Sequence, residues 1–187
     1  MKKRERMEEY KKLTKILENK TLQFIILFLF FLVLFYILYY FLMEALSFIR
    51  DTTVLILGVV LSPFGKVIVN GAKLSFNGFT LKMIDECTAI FSIIVYCSCI
   101  LAYPTTLKRK VVGIIFGVPC LYVINILRLF ILVLVGAFYP SMFEFVHVYL
   151  WQASFIIFVI LIFLLWLRIT EEREGKGKEG NGEKRKA

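Results

Sequence analysis

From Thr21 to Met43 the chain runs 23 residues without a charge. About 20 apolar residues suffice for a helix to cross the hydrocarbon of a bilayer. Inside that layer no water meets the backbone, so a crossing segment must close its own hydrogen bonds as a helix or a barrel. This one run therefore commits the chain to a membrane. It is too long for the apolar region of a signal peptide, and no A-x-A-like cleavage site follows it, so it reads as a retained span. The composition agrees. The chain is 59% hydrophobic, against roughly 45–50% in soluble domains. Its 187 residues leave room for one membrane domain and no large soluble one.

The remaining apolar runs predict an all-α polytopic membrane protein. About four transmembrane helices are expected, near 21–43, 87–103, 111–138 and 147–167. The third is interrupted by Pro119. Thr52 to Leu61 is apolar but short and ends at Pro63 and Gly65, so it predicts a re-entrant or an interfacial helix. Between Lys66 and Met83 the period changes from helical to two. Leu74 and Phe76 alternate with Lys73 and Ser75, and Phe79, Leu81 and Met83 alternate with Thr80 and Lys82. With two Asn-Gly pairs, Asn70-Gly71 and Asn77-Gly78, this predicts a small extracytoplasmic β-hairpin or three-stranded meander. The domains expected are a cytoplasmic amphipathic segment over 1–20, a membrane domain over 21–167 with an outer loop at 44–86, and a disordered cytoplasmic tail over 168–187.

Charge sets the orientation. Of the 23 Lys and Arg residues, eight lie in 1–20, three in 104–110 and seven from Arg168 on. With four spans these fall on one side. Basic flanks mark the cytoplasmic side, so both termini are expected there, in a multi-pass protein of the cell membrane. The net charge of +9 thus belongs to membrane flanks, and no nucleic-acid partner is expected.

The same topology sends three chemically able residues to the outer face. Cys87 begins the second span, His147 begins the fourth, and Arg128 lies on the third about 10 residues, or roughly 15 Å, below the outer loop. Taken singly, a cysteine in a membrane helix is a packing residue and a histidine at a helix end an interfacial one. An arginine inside a span costs several kcal/mol and so marks a function or a buried partner. Asn125 lies three residues before Arg128, on the same helix face.

The chemistry that fits is thiol acyl transfer at Cys87. His147 would act as general acid and base, and Arg128 would stabilise the oxyanion. Glu144, one turn before His147, would either orient the imidazole or be a solvated charge. Asp85 and Glu86 oppose formation of a thiolate, unless one of them caps the helix. Cys97-x-Cys99 is the only metal-like spacing, and one histidine in the chain argues against a zinc site. No metal or cofactor is expected. The G-x-S-x-G, H-E-x-x-H and P-loop patterns are absent from the sequence.

Together "ECTAI", "NILR" and the outer His147 resemble the exosortase/archaeosortase family of membrane cysteine transpeptidases. Cys87-Thr88 matches that family's Cys-Ser/Thr-Gly motif, with Ala89 in place of glycine. Asn125 and Arg128 match its Asn-x-x-Arg motif, and His147 its third position. With about four spans the chain is similar to the family's core, as a compact archaeal-type member. The resemblance implies a sorting enzyme whose substrates are exported proteins ending in a short motif, a transmembrane span and a basic tail. It implies cleavage through a Cys87 thioester and transfer to a cell-surface acceptor such as a membrane lipid. The outer meander would hold the motif by strand addition. Two rivals stand beside this reading: a membrane cysteine protease that hydrolyses without transfer, and a non-catalytic small channel or scaffold.

Overall fold

The structure, a computed structural model, describes residues 19–84 and 87–183, with side chains described throughout except at 150–153 and 171–183. The expected amphipathic segment over 1–20 thus falls almost wholly outside the described residues, and so do Asp85 and Glu86.

Helix α1 spans Lys20–Leu42. Asn19 caps it, its side chain accepting the Thr21 N–H at 3.1 Å. No residue of α1 is buried, as expected of a helix that is apolar all round and surrounded by lipid. It packs along the helix Ile90–Ala102, where Tyr39 meets Phe91 edge to face at 5.5 Å.

Helix α2 spans Ser47–Leu61 and continues as a 3-10 turn, Ser62–Phe64. The expected start at Thr52 is corrected. Arg50 and Asp51 look like a boundary in sequence, but they pair with each other at 3.6 Å on the helix surface. With the turn included, this helix is 18 residues and meets the length and apolarity of a membrane crossing. It packs against the strands that follow it and against the helix Leu107–Phe138. The Thr53 and Tyr122 hydroxyls lie 3.1 Å apart, and Phe64 meets the Phe130 ring at 5.3 Å.

The meander forms as expected. Strands β1 (Val67–Asn70), β2 (Lys73–Phe76) and β3 (Phe79–Lys82) pair antiparallel in sequence order. The second turn is Asn77-Gly78, with φ of 47° and 91°, a type I′ turn that Asn-Gly favours. The first turn is shifted by one residue. Asn70 stays in β1, and Gly71, at φ 56°, opens a Gly71-Ala72 turn. Only the first central residue there has positive φ, which is the type II′ arrangement.

Helix α3 is shorter than expected, Ile90–Ala102. Its 13 residues rise about 20 Å, less than the roughly 30 Å of hydrocarbon. Residues 87–89 lie outside the regular helix, and Tyr103 turns extended ahead of Pro104. Helix α4, Leu107–Phe138, contains Pro119 without ending there. After a 3-10 turn at Pro140–Met142 comes α5, Phe143–Glu183. It bends by 44° between Pro140–Tyr149 and Ser154–Thr170. The backbone stays helical past Leu167, where a disordered tail was expected, and Thr170 is still buried. Once a helix is nucleated, each added residue gains one hydrogen bond for one residue fixed.

Among the described residues, three helices are long and apolar enough to cross a membrane: Lys20–Leu42, Ser47–Phe64 and Leu107–Phe138. The bent α5 makes a fourth if both its arms count as one span.

Two apolar cores hold these elements together. One joins α2, the underside of the meander and the C-terminal part of α4, through Val54, Leu57, Phe76, Leu129 and Val133. The other joins α3, α4 and α5 through Tyr96, Ile100, Leu121, Val159 and Trp166. Glycines on α4 set the spacing. A Cβ at Gly117 would meet the Tyr96 ring, and one at Gly113 would meet Trp166. The Tyr96 hydroxyl donates to the Gly113 carbonyl at 3.0 Å, and Trp166 Nε1 donates to the Arg109 carbonyl at 3.1 Å. These contacts lock α3 and α4 antiparallel, which fixes what lies opposite Cys87.

Candidate active site

Cys87 lies five residues after the last strand residue, Lys82, and three before the first residue of α3, Ile90. Its N–H donates to the Ile84 carbonyl at 2.9 Å, and residues 87–89 form a short turn ahead of α3. The expectation that Cys87 opens the helix is therefore corrected: α3 begins at Ile90, capped by Ala89 with no side-chain hydrogen bond. Cys87 is also more buried than a residue at an open water edge, at 3% exposure. It packs in the same core as Met83, Leu129 and Val133. Thr88 and Ala89 are buried beside it.

The antiparallel register carries Asn125 to this turn. Its Nδ2 donates to the Cys87 carbonyl at 3.0 Å. Both residues are buried, so the bond is shielded from water, and an amide lost there takes a buried donor from that carbonyl. Arg128 is one turn further along α4, half-buried, and its charge acts on the Cys87 thiol. The structure thus brings Cys87, Asn125 and Arg128 together from the turn and α4.

Arg128 and Asn125 also line a cleft between α3, α4 and α5, together with Ser92, Ser154, Phe155 and Phe158. The cavity measures about 20 Å³, room for about one water. The cleft is thus a polar socket for a side chain rather than a ligand pocket. Ser92 and Ser154 were not singled out from sequence. A small hydroxyl residue within an apolar helix carries no pattern of its own, and only the packing of three helices gives these two a role.

His147 stacks on Phe143, rings 5.6 Å apart and 4° from parallel. Phe143 in turn meets Phe79 of β3 at 5.1 Å and packs against the core that holds Cys87. Phe143 thus connects the imidazole to the thiol's surroundings. Glu144 is exposed in the first turn of α5, where a carboxylate offsets the positive end of the helix dipole.

The fold and this cluster define a helical membrane protein with an amide and a guanidinium lining an interhelical cleft and a buried thiol beside them. The family model described as Transmembrane exosortase (Exosortase_EpsH) matches residues 18–167. The chain belongs to that family, which is one of cysteine transpeptidases. No curated protein and no solved structure matches it.

Proposed function

We propose that this chain is a membrane-embedded cysteine transpeptidase that cleaves C-terminal sorting signals of exported proteins and transfers them to a cell-surface acceptor. The observation that carries this reading is the Asn125–Cys87 hydrogen bond. It ties a buried thiol turn to the helix that carries Arg128, as a preorganised site requires. In the proposed orientation both termini and the 104–110 loop are cytoplasmic, and Cys87 and His147 lie toward the extracytoplasmic face. The chain is read as a compact, archaeal-type member of its family. Its substrates would carry a short motif, a transmembrane span and a basic tail.

In the proposed reaction His147 takes the Cys87 proton, and Sγ attacks the scissile carbonyl carbon. A C–S bond forms, and the oxyanion meets the Arg128 guanidinium. The C–N bond then breaks, and the imidazolium returns the proton to the leaving amine. An amine or hydroxyl of a membrane lipid or other surface acceptor attacks the thioester carbon. It gives its proton to His147, and Sγ leaves to re-form the thiol. Thr88 supports the turn, and Glu144 stands as a solvated charge rather than a partner of the imidazole.

The test is co-reconstitution with exported proteins bearing a C-terminal span and a basic tail. The expected result is a hydroxylamine-sensitive adduct at Cys87, lost in Cys87→Ala and Cys87→Ser with insertion intact. Unchanged processing in Cys87→Ala rejects the nucleophile. A free carboxylate as the only product terminus favours hydrolysis over transfer.

A further inference from the structure

Strands β1 and β3 are both edges of the meander. An edge strand presents backbone N–H and C=O groups ready to pair with another extended chain. The two edges differ in what they adjoin. β1 lies over α2, whereas β3 packs on α4 through Phe79 and leads into Cys87 with only residues 83–86 between. The type I′ turn makes Phe76 and Phe79 a hydrogen-bonded closing pair, and alternation makes Leu74 and Leu81 the next. The N–H and C=O groups of Thr80 and Lys82 therefore point away from β2. Among the described residues no further backbone partner holds them, and both residues are exposed.

The side chains add a second observation. In pairs without ladder bonds the side chains come closest. Ser75 and Thr80 form such a pair, and their hydroxyls are 2.6 Å apart. Lys73 and Lys82 form the next such pair, on the same solvent-facing side. Like charges placed directly opposite each other repel. Residues 66–83 contain three lysines and no acid, and neither Lys73 nor Lys82 has an ion pair among the described residues. A strand added to β3 would place every second side chain on this face beside Lys82, where a carboxylate would offset the repulsion.

We propose that the free edge of β3 docks an extended, carboxylate-bearing segment of the protein substrate as a fourth strand. Its backbone pairs with Thr80 and Lys82, and its acid lies beside the Lys73–Lys82 pair. The inference rests on the proposed function, because it is the short path from β3 to Cys87 that would make such docking productive.

The test uses the full chain in phosphatidylcholine nanodiscs and a fluorescein-labelled (Thr-Glu)4 peptide, whose acids all fall on one face when extended. The expected result is that (Thr-Glu)4 binds about tenfold tighter than (Thr-Lys)4, and that Lys82→Glu reverses the preference. N-methylation of alternate residues on one register should weaken binding about tenfold, and methylation of the intervening residues should not. Thr80→Pro should weaken binding equally, since Phe79 and Leu81 carry the ladder to β2. If Thr80→Pro does not fold, the N-methylated peptides on the wild-type chain decide alone. Binding that ignores N-methylation but is lost in Lys82→Glu overturns the strand. It would leave a charged patch for anionic headgroups, visible as competition by phosphatidylglycerol nanodiscs. No measurable binding of (Thr-Glu)4 overturns it as well. Cys87→Ala should bind the peptide normally while losing processing. Intact processing in that variant sinks the proposed function and not the docking edge, and absent peptide binding beside Cys87-dependent processing does the reverse.

Discussion

Replacing Asn125 isolates the contact on which the site depends. In Asn125→Ala the Cys87 carbonyl keeps its place but loses its donor. Cys87 is 3% exposed and Asn125 6%, so water does not readily take over the role. A buried acceptor left without a partner costs about 1–3 kcal/mol. If that cost is relieved by letting the turn shift, the thiol moves away from its reacting position. Expressed as a rate, 1–3 kcal/mol is roughly a 5- to 150-fold loss, and a displacement of about 1 Å is enough to cost about 100-fold. Asn125→Asp should be worse, because it sets a carboxylate oxygen against a carbonyl oxygen in a buried site. The assay is the initial rate of substrate processing in proteoliposomes, with thermal unfolding measured on the same samples. The expected pattern is a fall in kcat with KM nearly unchanged, since in the proposed reaction Asn125 positions Cys87 and leaves substrate contacts alone. A folded Asn125→Asp variant within about twofold of wild type would refute the reasoning, because the hydrogen bond would then contribute nothing to the reaction.

Arg128→Gln should lower processing by about 100- to 1,000-fold, the usual loss when an oxyanion partner is removed. Arg128→Lys should keep part of the rate, because it keeps the charge but not the planar fork, and the ratio of the two variants measures how much is charge. In Gly136→Ala a Cβ would meet the Phe79 ring and push β3 off α4. A loss of about 1–3 kcal/mol in thermal unfolding is expected, partly recovered by Phe79→Leu; an unchanged midpoint would show the ring gives way freely. A chain whose only cysteine is Cys87, made by Cys97→Ala, Cys99→Ala and Cys120→Ala, should react with a bulky maleimide about tenfold or more slowly than in denaturing detergent. Equal rates would show that the buried turn opens on its own.

The span at α1 was legible because length and lack of charge suffice to define a helix in lipid, whatever packs on it. The meander was legible because Asn77-Gly78 needs positive φ and period two needs a sheet. Asn70-Gly71 misled by one position, since either turn class can take a glycine there. The starts of α2 and α3 were not legible. Arg50-Asp51 reads as a boundary until the two side chains are seen to pair, and nothing in "ECTAI" says that the helix waits until Ile90. Asn125 and Arg128 declared themselves by the cost of polar groups in a span. Ser92, Ser154 and Phe143 did not, because hydroxyls and rings are common in such helices.

What the sequence determined by itself was a membrane protein with a three-stranded meander, and with Cys87, Asn125, Arg128 and His147 as its candidate residues. Those follow from periodicity, charge and solvation, which are local properties. What only the tertiary structure decided was that Asn125 reaches the Cys87 carbonyl, that Cys87 is buried, and that Ser92 and Ser154 complete the cleft beside Arg128. Those depend on how deeply α3 and α4 slide past each other. Gly117 and Gly113 set that depth by admitting Tyr96 and Ile100 of α3, and Gly113 also seats Trp166 of α5, contacts between residues far apart in sequence.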